Sequence, residues 1–211
     1  MRYLLFFFGF CISLLFMYTL LKNNIEKTAG RPVTEQEFSA FSELFFVKNF
    51  DKKIYLTEPG EICNYIYFVL KGSCVSYITN IKGDKHVVQF ALEGYWISDL
   101  YSFFSGKESI FTLEALEPLQ VVVLNRQNFM KACDTIPVME RFFRILIQNA
   151  YVSLQHRLAI TNSEEAERRY EEFAKKNPLL IQRIPQYLIA SYLGIKPQSL
   201  SRIRKERAQK K

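Results

Sequence analysis

Between residues 197 and 207 the chain reads PQSLSRIRKER, and its polar side chains are of the types that hydrogen-bond to bases and phosphates. Gln198, Arg202 and Lys205 fall on one side of a helix, while Leu200 and Ile203 stand one turn apart on the other. Arg202 can pair in bidentate fashion with guanine and Gln198 with adenine. Ser199, Ser201, Arg204 and Lys205 are better suited to phosphate oxygens. The stretch is therefore an amphipathic helix with a cationic wet face.

Such a helix needs a partner to hold it. In PQYLIASYLGIKPQSLSRIRKER a first helix brings the small Ala190 to a close approach, Gly194 supplies a corner with positive φ, and Ile195 plugs the turn. Pro197 sits in the first turn of the second helix, where its missing N–H costs nothing, and Leu193, Leu200 and Ile203 pack inward. This is the layout of a helix-turn-helix, whose second helix enters a DNA major groove. A merely solvated basic tail has no need of the turn glycine and the apolar plug.

The charge is placed accordingly. The chain of 211 residues has a formal net charge of +7, and residues 185–211 hold seven Lys or Arg against the single Glu206. The basic signal thus belongs to the C-terminus. A hydrophobic content of 49% with 15% aromatic residues supports a packed core and excludes disorder as the main state. Cys11, Cys63, Cys74 and Cys133 lie far apart without C-x-x-C spacing, which suits reduced thiols in a cytoplasmic chain.

Residues 3–21, YLLFFFGFCISLLFMYTLL, are uncharged and long enough to cross a bilayer. Three readings compete. A signal peptide lacks a small-x-small cleavage site here. A single-pass anchor, with Lys22, Lys27 and Arg31 following the run, would leave the remaining chain in the cytoplasm. A true start at Met17 would make the preceding residues an artefact, and that start is the expectation. The membrane is a partner only on the second reading.

After TEQEFSAF, a helix capped by Thr34 and Glu37, glycines recur at 60, 72, 83, 94 and 106 between short aromatic and β-branched runs. The runs YIYFVL, CVSYI, HVVQFAL, FTLEAL and LQVVVL predict an antiparallel sandwich or barrel, with IKGDK as a hairpin turn. Pro137 opens a long helix to about residue 162. Phe142, Ile145, Asn149, Val152, His156 and Ala159 follow a 3,4 step on it, and Phe143, Ile147, Ala150, Leu154 and Leu158 form a second stripe. One stripe is expected to pack on the β domain and the other on a second copy of the chain, with Asn149 fixing register. Ser163 is expected to cap the next helix, which ends at Asn177 and Pro178.

The order of β sandwich, long helix and C-terminal helix-turn-helix resembles the Crp/Fnr family of bacterial transcription regulators, from about residue 20 to the end. GYWISDLYSFFSG and IPQYLIASYLGIKPQSLSRIRK carry most of the likeness and look like versions found in Bacteroidetes members. The resemblance implies an α+β chain: a jelly roll of the cyclic-nucleotide-binding type (22–136), a dimerisation helix (137–162) and a winged helix-turn-helix (163–211). Only AQKK follows the second helix, so a wing is either missing or lies earlier, around LLIQRIP. The resemblance also implies a homodimer on a two-fold symmetric operator, with RNA polymerase as a further partner.

Family members that bind cyclic nucleotides hold the phosphate in a cassette that follows a glycine. Counted from Gly94, this sequence has Ser98 for a cassette glycine, Asp99 for the acid that takes the ribose hydroxyl, and Ser109 for the arginine on the phosphate. Lys107 is the nearby cation in sequence. A buried phosphate without its arginine is costly, so no cofactor is expected, cyclic AMP is not expected to bind and the effector is left open. Four scattered cysteines do not suit an iron–sulfur cluster, and His86 or His156 would each be a lone haem ligand. Tyr95, Trp96, Tyr101, Phe103 and Phe104 could line an effector pocket or pack the hinge. A cupin-type metal enzyme needs two or three His converging on the metal, and His86 stands alone on its strand, so an enzyme is not expected. The remaining rival is a membrane-tethered ligand sensor whose C-terminal helices bind protein instead of DNA.

Overall fold

The computed structural model of the chain describes residues 18–209. Residues 18–29 form helix α1, followed by α2 (Glu35–Ser42). Strands β1 (Phe46–Phe50), β2 (Tyr55–Thr57), β3 (Tyr65–Lys71), β4 (Cys74–Thr79), β5 (Lys85–Ala91) and β6 (Trp96–Ile97) come next, then the short helix α3 (Leu100–Ser105). Strands β7 (Thr112–Ala115) and β8 (Leu119–Asn125) complete two four-stranded antiparallel sheets, β1-β8-β3-β6 and β2-β7-β4-β5. Helices α4 (Arg126–Thr135), α5 (Pro137–Ser163), α6 (Ala166–Lys176), α7 (Pro178–Arg183), α8 (Gln186–Leu193) and α9 (Pro197–Gln209) follow.

The uninterrupted apolar runs of β3 and β8 have a physical reason: the sheet they form is covered on both faces. Tyr67 and Val69 of β3 meet Val121 and Val123 of β8 in the core between the sheets. Their neighbours Ile66, Phe68, Leu70, Val122 and Leu124 point the other way, into a layer of helices. That layer includes α1, whose Leu21, Ile25 and Ala29 recur every four residues and are fully buried. The second sheet is also covered on its outside, because Val75, Tyr77, Val87 and Phe90 pack against residues of α6 and α8. The fold therefore has four layers, with the two sheets in the middle and helices on either side.

The predicted strands form where the runs lie, and Thr34 and Glu37 make both bonds of the capping box. The turn from β3 to β4 depends on Gly72, at φ +95°; a Cβ there would stand 2.3 Å from the carbonyl oxygen of Pro118. Strands β1 and β2 were not among the sequence expectations, since their residues are mostly exposed and follow no alternation.

Three expectations change, and a fourth falls mostly outside the described residues. The apolar run 3–21 lies mostly outside the described residues, as do Met17 and Cys11. Its last residue, Leu21, is in the domain core, and no helix among the described residues is long and apolar enough to cross a membrane. Helix α5 does not divide into one stripe for the sheet and one for a partner. It divides along its length, because Phe142 and Phe143, one from each stripe, share the same core. Farther on, Tyr151 (60% exposed), Val152 (61%) and Leu158 (56%) stand in solvent together with Asn149, His156 and Ala159. Ser163 is the last residue of α5 and bonds back to the carbonyl of Ala159, while α6 begins at Ala166 without a side-chain cap. No strand follows β8 among the described residues: the wing is not there, and LLIQRIP, where an early hairpin was one option, lies largely in helix α7, which Pro178 starts.

Candidate nucleic-acid interface and cassette loop

Helices α8 and α9 meet across a corner that the local sequence dictates. Gly194 ends α8 in the left-handed region at φ +63°, and its N–H returns to Ala190 and Ser191. The next residue, Ile195, donates to the carbonyl of Ala190 at 2.9 Å and is buried. Ala190 is fully buried, and Leu193, Leu200 and Ile203 share its cluster with Leu188 and Ile189. Truncating a buried leucine such as Leu200 to alanine costs about 2–5 kcal/mol, so this cluster holds the two helices at one angle.

The other face of α9 is free. Gln198, Ser201, Arg202, Arg204 and Lys205 are exposed, and Ser199 is half-buried. Arg202 Nε lies 3.9 Å from Glu206 Oε1 on mostly exposed side chains, a loose pair that breaks at little cost. The structure thus brings together on one helix every side chain that the sequence marked for bases and phosphates.

No spacing in the chain foretells how this helix pair is anchored. Ser191 of α8 accepts from the amide of Val87 at 2.9 Å and donates to the carbonyl of Lys85 at 2.5 Å. Those are backbone groups on the outer edge of β5, so a serine of the helix pair closes the free edge of the jelly roll. Tyr192 stands 5.3 Å from the Phe90 ring and 5.5 Å from that of Phe173. Arg183 of α7 reaches back to both Glu93, at 2.7 and 3.0 Å, and Glu117, at 2.5 and 3.3 Å. Burial pushes the Glu93 carboxyl up, but the Arg183 guanidinium together with the backbone amides of Glu93 and Gly72 leaves the group below the usual carboxylate range. Glu117 is lowered chiefly by the same guanidinium. Long-range pairing of this kind has no periodic signal in a sequence.

The cassette segment is built from its own contacts. Gly94 donates to Val69 and its carbonyl accepts from Asn24 of α1, both at 2.9 Å. Ser98 Oγ donates to the carbonyl of Tyr65 at 2.9 Å and sits 3.4 Å from the Cys63 thiol. Asp99 is 3% exposed and caps α3, accepting from Ser102 N at 3.2 Å through Oδ1, while Oδ2 is buried with no hydrogen-bond partner. Ser109, also buried, exchanges bonds with the backbone of Phe111, Gly60 and Glu61. Lys107 is exposed and contributes its carbonyl to the Ser102 hydroxyl at 2.5 Å. The cation actually beside the loop is Arg126, which spacing did not reveal. Its Nη2 donates to the carbonyls of Cys63 and Ser102 at 3.3 and 3.1 Å.

The position counted for the phosphate arginine holds a neutral serine, Ser109, and Arg126 turns Nη2 to two backbone carbonyls while its Nε is buried with no hydrogen-bond partner. The aromatic set splits: Trp96 and Phe103 are core residues, whereas Tyr95, Tyr101 and Phe104 are exposed. His86 pairs with Asn80 in its hairpin, and His156 is exposed on α5. Among the described residues no cluster of three or more His, Cys, Asp or Glu could hold a metal.

Comparison with known proteins agrees with this architecture. Residues 47–135 match the cyclic nucleotide-binding domain family. The chain is 22% identical over 108 residues to the cAMP-activated global transcriptional regulator CRP of Salmonella typhimurium, 51% of each chain, so it matches about half the length of that relative. Among solved structures it is similar to FixK2 from Bradyrhizobium japonicum (TM-score 0.67, 17% identity, 79% of this chain and 85% of that one). It is also similar to CLP from Xanthomonas campestris, described as a c-di-GMP responsive global regulator (TM-score 0.65, 11% identity, 84% and 93%). These likenesses show the fold. CRP and CLP are both described as global regulators.

Proposed function

We propose that the chain is a regulator of the Crp/Fnr type, a homodimer that binds a two-fold symmetric DNA operator through α9. The observation that carries this reading is the geometry of α8 and α9: a glycine corner and a buried apolar cluster fix the pair, and Gln198, Arg202 and Lys205 stand together on the exposed face. The dimer rests on the bare apolar length of α5 around Tyr151, Val152 and Leu158, which a second copy would cover. RNA polymerase is a partner only by analogy with the family.

The jelly roll serves as a frame that holds the helix pair, and it does so without cyclic AMP. Ser109 is neutral and held in local backbone bonds, so it does not replace the arginine on the phosphate, and Asp99 uses Oδ1 to cap α3. The test of the whole reading is recovery of bound fragments from a sheared genomic pool by the full chain. Enrichment of a palindromic motif supports it; recovery proportional to fragment length, with no motif, overturns it.

A further inference from the structure

We propose that Arg169, on α6, is a positioning residue that locks the recognition helix to the end of the dimer helix and thereby sets the spacing of the two half-sites read. The inference rests on the regulator reading above. Its basis is one guanidinium that binds three backbone carbonyls on two segments. Nη1 donates to the carbonyls of Thr161 at 2.7 Å and Glu164 at 3.0 Å, and Nη2 donates to the carbonyl of Gly194 at 3.1 Å. Thr161 lies in the last turn of α5, where carbonyls lack intrahelical partners and the helix dipole favours a cation. Gly194 is the corner from which α9 departs.

Two further contacts make the same connection independently. A Cβ at Gly194 would lie 3.2 Å from Cγ2 of Thr161, so the corner rests directly on the end of α5. One turn earlier, the Arg157 guanidinium of α5 lies 4.4 Å from the centre of the Tyr192 ring of α8. The same ring faces Phe90 of the jelly roll. Any shift of α5 is thus passed to the corner through Thr161, Arg157 and above all Arg169.

The mechanical consequence follows from size. Helix α9 has 13 residues and a length of about 20 Å. A pivot of about 10° at its start moves its far end by roughly 3.4 Å, the rise of one base-pair step. A clamp that holds the corner fixed therefore holds the half-site spacing, because the corner is the fulcrum. Lysine cannot replace the residue: it keeps the charge, but its single ammonium lacks the planar fork that reaches carbonyls on both sides.

The experiment presents the full chain with a duplex library in which two copies of its selected half-site are separated by varied spacers. The unsubstituted chain is expected to enrich one spacing. Arg169→Lys is expected to enrich three or more neighbouring spacings, with affinity for the preferred one down about tenfold and affinity for an isolated half-site within about threefold of the original. Arg157→Ala, which leaves every carbonyl bond in place, should broaden the distribution in the same direction but less. If Arg169→Lys is poorly folded by thermal melting, Arg157→Ala decides alone. An unchanged single spacing in the folded variants overturns the positioning role while leaving the regulator reading intact. Failure of the unsubstituted chain to select any half-site removes the regulator reading and this inference with it.

Discussion

The hydroxyl of Ser191 lies 2.9 Å from the amide of Val87, so the first helix of the helix-turn-helix completes the edge of the β domain. Two modules that a sequence reader separates are here one packed body, with Arg183 bound to Glu93 and Glu117 on one side of the seam and Tyr192 on Phe90 in its middle.

Breaking that seam should loosen the helix pair before it unfolds the chain. Arg183→Met leaves two carboxylates without their cation and is expected to cost about 2 kcal/mol, given that bonds to charged groups are worth about 1.5–3 kcal/mol each before solvent screening reduces them. Hydrogen exchange should accelerate in α7, α8 and the outer edge of β5 while β3 and β8 keep their protection. Equal acceleration throughout would contradict the seam.

The same cluster gives a dependence on pH. Glu93 and Glu117 have folded pKa values lowered below the ordinary value of 4.5, so they bind fewer protons in the folded state than in the unfolded one. Their contribution is fully present above that ordinary value and is lost as pH falls through the lowered ones. Thermal melts of the chain and of Arg183→Met should therefore differ at pH 7 and converge as acidity increases below about pH 4. A gap that widens in acid would reverse the sign and refute the assignment.

Charge on the bare part of α5 should separate the protomers. Val152→Glu with Leu158→Glu, both at exposed positions, should leave the melting temperature of the monomer fold within a few degrees, since few contacts within the chain are lost. In ultracentrifugation the unsubstituted chain should sediment as a dimer and the double variant as a monomer, with operator affinity down at least about tenfold. A double variant that still sediments as a dimer would move the interface elsewhere.

Cyclic AMP should change nothing. Calorimetry at about 1 mM nucleotide should show no heat of binding, and melting should not shift, since a ligand at 100 times its Kd stabilises by about 2.7 kcal/mol and would be plain. A saturable heat with a raised melting point would mean that Arg126 leaves its carbonyls to take the phosphate.

Much of this was legible in the chain itself, for reasons that differ by element. The strands β3 and β8 announced themselves as short apolar runs, and the helix pair did so through Gly194, Ile195 and the cationic face of α9. The stripes on α5 were visible too, but which part of them the chain covers depends on Phe142 and Phe143 reaching a core contributed by α1, α2 and β3. The clamp residues Arg169, Arg183 and Ser191 were not legible, because their partners are mostly backbone carbonyls or carboxylates up to 106 residues away. Arg126 is hidden for the same reason: it lies outside the span counted from Gly94 and enters from the next helix, α4.

The central claim is that α9 reads DNA sequence, and titration of the full chain and of Arg202→Ala against the selected operator and a scrambled duplex, over a range of salt, tests it most directly. The account predicts operator binding at least about a thousandfold tighter than scrambled binding, and a loss of about 1–3 kcal/mol in Arg202→Ala that falls on the operator alone. Equal affinity for both duplexes, vanishing steeply with salt and lowered equally by the substitution, would reduce α9 to a cationic surface and contradict it.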